Sequence, residues 1–429
     1  MNRIFALLVF GAFGTAALRE LFGPGGDGSP MEALSRAMLD SAAAAVQLAL
    51  GLIGAMTLFL GLVKVAENGG LLCLIARVLQ PLMQRLFPEI PPGHPAMGAM
   101  VLNLSANVLG LGNAATPFGI RAMQELNRLN PTPGTATDAM ALFLAINTSS
   151  VTLLPTGVIA LRAAVGSADP AAILPTTLLA TSCSTAAAIV AAKLFARAGR
   201  KGAPAAAAEP CLQPETSDGD SEEPALPPAF PLWVSLAALS GIASAIALLL
   251  LGGRSASPWL LPSLMAGFLL YGWIRGVKVY ESFVEGARGG FEVAVRILPY
   301  LVAILVAVDM LRASGALEAL VGLVGRWTGT IGLPAEALPV ALTRPLSGSG
   351  AFAILASILK DPAIGPDSYI GLLVSTLQGS TETTFYVLAV YFGAVQVHRL
   401  RYAVAPALIA DLTGILASVA ACRIFFGGA

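Results

Sequence analysis

The sequence predicts an all-α polytopic membrane protein: two helical halves related as an inverted-topology repeat, with broken or re-entrant helices. Of its 429 residues, 56% are hydrophobic and only 12% are charged, where a soluble protein carries about 25% charged residues. Apolar runs long enough to cross a bilayer, at ~20 residues each, recur along the chain. Two of these runs are interrupted by polar residues, one in each half: Ile146–Thr152 (INTSSVT) and Leu377–Tyr386 (LQGSTETTFY). Paired interruptions of this kind are the signature of a transporter with a site near the membrane midplane.

Lys+Arg and Asp+Glu number 25 each, so no global charge points to nucleic acid. The 45 glycines and 29 prolines favour close helix packing and interrupted helices. Cys73, Cys183, Cys211 and Cys422 lack CxxC spacing and have only His94 and His398 beside them. Neither a disulfide framework nor a metal site is legible in that set. No GxxxxGK[ST], HExxH or GxSxG motif occurs, and Ser347–Gly350 has no histidine nearby in sequence. The chain therefore reads as a non-enzyme without a cofactor.

Met1–Ala17 places Arg3 before an apolar core. It reads either as a signal peptide or as a retained first span, and the retained span suits the later charge pattern. Residues 20–40 are polar, Ala42–Val65 is the next strong helix, and Asn68–Gly70 breaks it. Leu71–Phe87 has helical apolar spacing interspersed with Arg77, Gln80, Gln84 and Arg85, which suits a helix lying along the interface or re-entering the bilayer. Met97–Ile120 is apolar but holds Asn103, Ser105, Asn107, Asn113 and Thr116, and its glycines and Pro117 argue against one clean span. Spans at about 139–164 and 171–194 complete a first membrane domain, residues 1–198. Residues 199–229 turn to alanine, proline and acidic side chains, the composition of a disordered cytoplasmic linker. A second membrane domain, residues 230–429, has spans near 232–251, 259–274, 293–310, 369–394 and 403–421. Its gate-like region, Leu317–Leu359, holds Arg344, Ser347 and Ser349.

Three pieces of the halves align in the same order. Asn68–Leu71 matches Ser314–Leu317, Leu104–Asn107 matches Leu346–Ser349, and Ile146–Thr152 matches Leu377–Thr383, with Pro175 then opposite Pro406. Ordered matches with drifting offsets indicate an internal repeat. Loop charge gives its direction, because cytoplasmic loops collect Lys and Arg. Arg121 and Arg128, then Lys193 to Lys201, mark inside segments of the first half, and the 166–170 loop has no Lys or Arg. In the second half Arg275, Lys278, Arg288, His398, Arg399 and Arg401 mark the inside, whereas 360–367 carries one lysine against two aspartates. Matched segments with reversed sidedness make the repeat inverted.

Residues 103–123 (NLSANVLGLGNAATPFGIRAM) resemble spore maturation protein A. Residues 280–307 (YESFVEGARGGFEVAVRILPYLVAILVA), 344–351 (RPLSGSGA) and 378–395 (QGSTETTFYVLAVYFGAV) resemble spore maturation protein B. The chain thus looks like a fusion of the two, within the nucleoside-recognition or Gate group. That group is related to parts of concentrative nucleoside transporters and of ferrous-iron transport protein B. The resemblance implies two Gate-type halves in a multi-pass protein of the cell (inner) membrane, and leaves the substrate open.

Two functions compete. One is a transporter or channel-like protein for a small polar solute, nucleoside-like by family analogy, with a coupling proton or cation. The other is a non-transporting membrane protein of spore maturation or envelope assembly. Polar clusters within spans in both halves favour transport, since a scaffold needs none of them. The bilayer is the expected partner, and the sequence leaves the choice between a monomer and a homo-oligomer open. The candidate binding groups are Asn103, Ser105, Asn107, Asn113, Thr116, Asn147 and Ser149 from the first half. The second half adds Arg344, Ser347, Ser349, Gln378, Ser380, Thr381, Glu382, Thr383 and Asp411. Amides and hydroxyls can recognise a polar solute, or simply join helices. Arg344 can receive an anion or pair with Glu382. Glu382 can bind a cation or proton, or complement a helix dipole. Asp411 can be a coupling carboxylate or a partner for Arg423.

Overall fold

The computed structural model describes residues 2–22, 29–91, 93–110, 112–200, 230–238, 240–241, 244, 257–316 and 332–427. Among these residues all regular structure is helical, apart from one isolated bridge between Thr135 and Arg399. The expected linker lies outside the described residues from 201 onward, as do residues 317–331 of the gate-like region. The first half comprises α1 (Asn2–Phe22), α2 (Pro30–Asn68), α3 (Leu71–Leu86), α4 (Pro95–Val108), α5 (Gly112–Arg128), α6 (Asp138–Thr148), α7 (Thr156–Ala164) and α8 (Leu174–Arg200). The second comprises α9 (Ser257–Ile274), α10 (Val279–Ala313), α11 (Leu338–Thr343), α12 (Gly348–Lys360), α13 (Tyr369–Ser380), α14 (Thr384–Ala394) and α15 (Val404–Phe426). Segments within α1, α2, α8 and α15 are long and apolar enough to cross a membrane, and α6–α7 and α13–α14 each form one broken span. The chain is a multi-pass membrane protein.

Two boundaries differ from the sequence reading. The helix expected from Ala42 begins at Pro30, because Ser29 accepts the Glu32 N–H and Pro30 fills the first helical position. The span expected at 293–310 begins at Val279, so the charged segment before it is helical too. Near the end of α2, Lys64 and Glu67 pair at 3.3 Å.

Residue registers show how the halves face one another. Along α2 and α10, Ser41 bonds Asp309 at 2.6 Å and Asn68 bonds Ser282 at 3.0 Å, so the two helices run antiparallel. Between them, a Cβ added at Gly290 would stand 2.7 Å from the backbone of Met56 and Thr57. Absence of a side chain there is what lets the helices approach closely. Helices α8 and α15 are antiparallel as well: Phe195 stacks on Tyr402, and Ser184 donates to the Ala410 carbonyl. The broken spans cross in the same sense, with Phe143 stacked on Tyr391 and Arg162 reaching Ser375. Three equivalent pairs, each antiparallel, are what a two-fold axis in the membrane plane produces. The caps agree, since Thr137 starts α6 and Ser368 starts α13 at equivalent positions. One sequence match is out of register: Leu104–Asn107 lies inside α4, whereas Leu346–Ser349 spans the turn into α12.

The apolar interior has two large clusters, beside a small one of Ala12, Ala16, Leu34, Met310 and Leu311. One cluster joins Leu48, Leu52, Ile159, Leu161, Leu355, Leu373, Leu377 and Val419; the other joins Met100, Met140, Phe143, Ile146, Ala188, Tyr391 and Phe392. Four of the chain passages between them are polar on the way: Asn147–Ser150, Thr176–Ser184, Gln378–Thr384, and Asp411 to Ser418. A buried polar layer thus separates two apolar ends.

Each end is latched across the halves. At one end Arg162, fully buried, donates to Asp367 Oδ1 at 2.9 Å, to Ser167 Oγ at 3.0 Å and to the carbonyls of Asp169 and Pro366. At the other, Arg401 and the Tyr402 hydroxyl donate to Asp138 Oδ1 at 2.9 and 2.7 Å. Burial first, and the Asp138 carboxylate next, hold the Tyr402 phenol above its ordinary pKa, so it stays a donor.

Candidate functional site

Helix α6 ends at Thr148 and α7 starts at Thr156; α13 ends at Ser380 and α14 starts at Thr384. Helix ends leave backbone groups without intrahelical partners, and in a bilayer these must be satisfied by protein. Here the two breaks satisfy each other and the neighbouring hairpins. The Glu382 N–H donates to the Thr148 carbonyl at 2.9 Å. The α4–α5 turn supplies the Val108 carbonyl to the Leu153 N–H, and the α11–α12 turn supplies the Pro345 carbonyl to the Phe385 N–H. Each hairpin tip therefore props the break of its own half, while the breaks join half to half.

Two polar groups sit in this layer. In the first, Asn103 donates to the Ala115 carbonyl at 2.8 Å and to the Tyr391 hydroxyl at 3.1 Å, Asn107 donates to Asn147 Oδ1 at 2.9 Å, and Asn147 donates to the Phe143 carbonyl. Asn103 is fully buried, yet its Oδ1 has no partner. In the second, Arg344 donates to Thr383 Oγ1 at 3.1 Å and to the Thr381 carbonyl, with Glu382 Oε2 at 3.5 Å from Nη2. Gln378 reaches the Gly348 carbonyl at 3.4 Å, and its Oε1 is unpartnered. A Cβ added at Gly348 would stand 2.6 Å from Thr383 Oγ1 and 3.0 Å from Arg344 Nη1, so a side chain there would displace one of these two groups.

Other residues marked in the sequence serve local structure. Ser347 caps α12 by accepting the Gly350 N–H at 3.1 Å, with Ser349 Oγ 3.5 Å away. Ser105, Ser149 and Ser380 donate to carbonyls of their own helices. Thr116 is half-buried on α5, and the side chain of Asn113 lies outside the described residues. Asp411 accepts from Thr384 Oγ1 at 2.7 Å, and its Oδ1 has no partner; this replaces the alternative of a pair with Arg423. Among the described residues no group of three or more His, Cys, Asp or Glu can hold a metal ion. A cleft lined by Leu86, Glu89, Asp138, Lys193 and Arg197 opens between α3, α6 and α8, away from the crossing.

Sequence reasoning missed Tyr391, Thr384 and Arg162. A lone arginine in the run expected at 139–164 was a usable signal for the last. Tyr391 carried none, because YVLAVYF reads as a plain apolar helix.

The Gate model, described as nucleoside recognition, matches residues 49–165 and 294–397, together more than half of the chain. Spore maturation protein B of Bacillus subtilis is 47% identical over 170 residues, 40% of this chain and 94% of that protein. Spore maturation protein A of the same organism is 44% identical over 165 residues, 38% of this chain and 84% of that protein. Inner membrane protein YjiG of Escherichia coli is 32% identical over 113 residues, 24% of this chain and 69% of that protein. Among solved structures, CNTnw in an inward-facing substrate-bound state matches with a TM-score of 0.35 and 14% identity over 99% of this chain and 83% of that one; at this level the likeness carries no argument. The two matched regions contain both broken spans and both hairpins, and on them the chain belongs to the Gate nucleoside-recognition family.

Proposed function

We propose that this protein is a transporter for a small polar solute, which binds where the two broken spans cross. The observation that carries the reading is a buried layer of polar groups with spare capacity. Asn103 Oδ1, Gln378 Oε1, Arg344 Nε and Asp411 Oδ1 are all buried there without a partner. Unsatisfied buried polar atoms are rare in proteins, and within a membrane they mark a solute or ion path. On this reading Arg344, Gln378, Thr383, Asn103, Asn107 and Asn147 bind the solute, and the protein acts in the cell membrane. Asp411 or Glu382 carries the coupling proton or cation. The relative named as an inner membrane protein supports that location.

Uptake into proteoliposomes, screened over nucleosides, amino acids and organic acids with and without proton or sodium gradients, tests the proposal. Uptake of at least one class should fall tenfold or more in Arg344→Gln. A protein that neither moves nor is stabilised by any of these solutes would support the second reading, a membrane protein acting in spore maturation or envelope assembly. The names of the two Bacillus relatives favour that reading.

A further inference from the structure

We infer that the solute carries an anionic group, a carboxylate or a phosphate, which Arg344 receives in exchange for Glu382. The inference rests on the transporter reading and adds the chemical class of the solute.

Three positive features meet at one buried point. Arg344 is 8% exposed, its Nε has no partner, and a guanidinium does not lose its proton in proteins. Helix α12 starts at Gly348 and helix α14 at Thr384, each presenting the positive end of its dipole. The close approach of Gly348 to both Thr383 Oγ1 and Arg344 Nη1 places the two helix starts against one guanidinium. Helix N-termini with an arginine between them form an anion site.

The counter-charge is loosely held. Glu382 Oε2 stands 3.5 Å from Arg344 Nη2, beyond the 2.7–2.9 Å of a strong charge-assisted bond, and the Glu382 side chain is 41% exposed. Its backbone is fixed through the bond to Thr148, so the carboxylate can swing away while the crossing stays intact. Asp411, the other carboxylate beside Arg344, already accepts from Thr384 and lies in α15. Glu382 therefore acts as a stand-in anion. A solute carboxylate or phosphate presents two oxygens, which the free Nε and the Nη2 position vacated by Glu382 can take together as a fork, while Nη2 keeps its bond to the Thr381 carbonyl.

The test uses the full chain in phosphatidylcholine nanodiscs, so that no anionic headgroup supplies the charge. Thermal stabilisation is titrated with uridine, uridine 5′-monophosphate and succinate. At least one anion should bind ten times more tightly than uridine. Arg344→Gln should weaken it at least tenfold, and Arg344→Lys should recover part of the loss. Glu382→Gln should tighten it severalfold, because the internal competitor is gone; this variant decides the matter if Arg344→Gln does not fold. Equal binding of uridine and its monophosphate, indifferent to Arg344, overturns the anionic class and leaves the transporter reading standing. Weaker anion binding in Glu382→Gln overturns the exchange. No stabilisation by any of the three, in a protein that also fails the uptake screen, overturns both.

Discussion

The backbone N–H of Glu382 donates to the carbonyl of Thr148 across 2.9 Å, joining a break in one half of the chain to a break in the other. The side chain of Glu382 takes no part in that bond. Charge and architecture at this residue are therefore separable.

Glu382→Gln keeps the shape and the backbone bond while removing the charge. We expect uptake to fall at least tenfold with the melting temperature nearly unchanged. If the carboxylate only complements the α14 dipole, its loss costs about 0.3–1 kcal/mol of stability and nothing else. Full uptake at every pH and ion condition tested would assign Glu382 that lesser role.

The two end latches should differ in strength. Arg162 is fully buried, and truncating it strands Asp367 and several carbonyls. Breaking a buried pair costs about 3–5 kcal/mol, and the partial exposure of Asp367 puts Arg162→Gln at the lower end. Arg401 is 38% exposed at its side chain, so Arg401→Gln should cost about 0–1 kcal/mol. Thermal unfolding in detergent ranks them, and equal losses would contradict the assignment.

Glycine contacts make a sharper prediction about helix packing. Gly290→Ala forces a methyl group against the Met56–Thr57 backbone and should cost about 1–3 kcal/mol. Gly54→Ala, in the facing helix with nothing within 4 Å of the added atom, should be neutral or slightly stabilising. Melting temperatures of the two variants check the α2–α10 register directly.

Sidedness follows from the antiparallel registers. Ala168→Cys and His398→Cys lie on exposed loops at opposite latched ends. A membrane-impermeant thiol reagent applied to intact cells should modify Ala168→Cys and spare His398→Cys, with the pattern reversed in inverted vesicles. Reaction of both from one side would refute the inverted repeat.

Much of this architecture was legible because membrane physics writes it into composition. The breaks at Ile146–Thr152 and Leu377–Tyr386 stood out as polar residues in apolar runs, and a pair with Glu382 was one of the two alternatives open for Arg344. The hairpin turns were harder. Leu104–Asn107 matched Leu346–Ser349 by letters, yet one is helix interior and the other a cap, because serine and asparagine suit both places. Pairings between elements distant in sequence, such as Tyr391 with Asn103 or Arg162 with Asp367, depend on which faces meet. No local pattern encodes that.

The mutual dependence of the breaks has a consequence for biogenesis. Thr148 is inserted into the bilayer long before Glu382 is synthesised, since 233 residues separate them in the sequence. Until the second half arrives, the α6 terminus lacks the donor it has in the finished protein. The first half must wait in a provisional state, held by lipid, water or a chaperone. Carrying both halves on one polypeptide fixes their stoichiometry at one to one and keeps the missing piece close at hand.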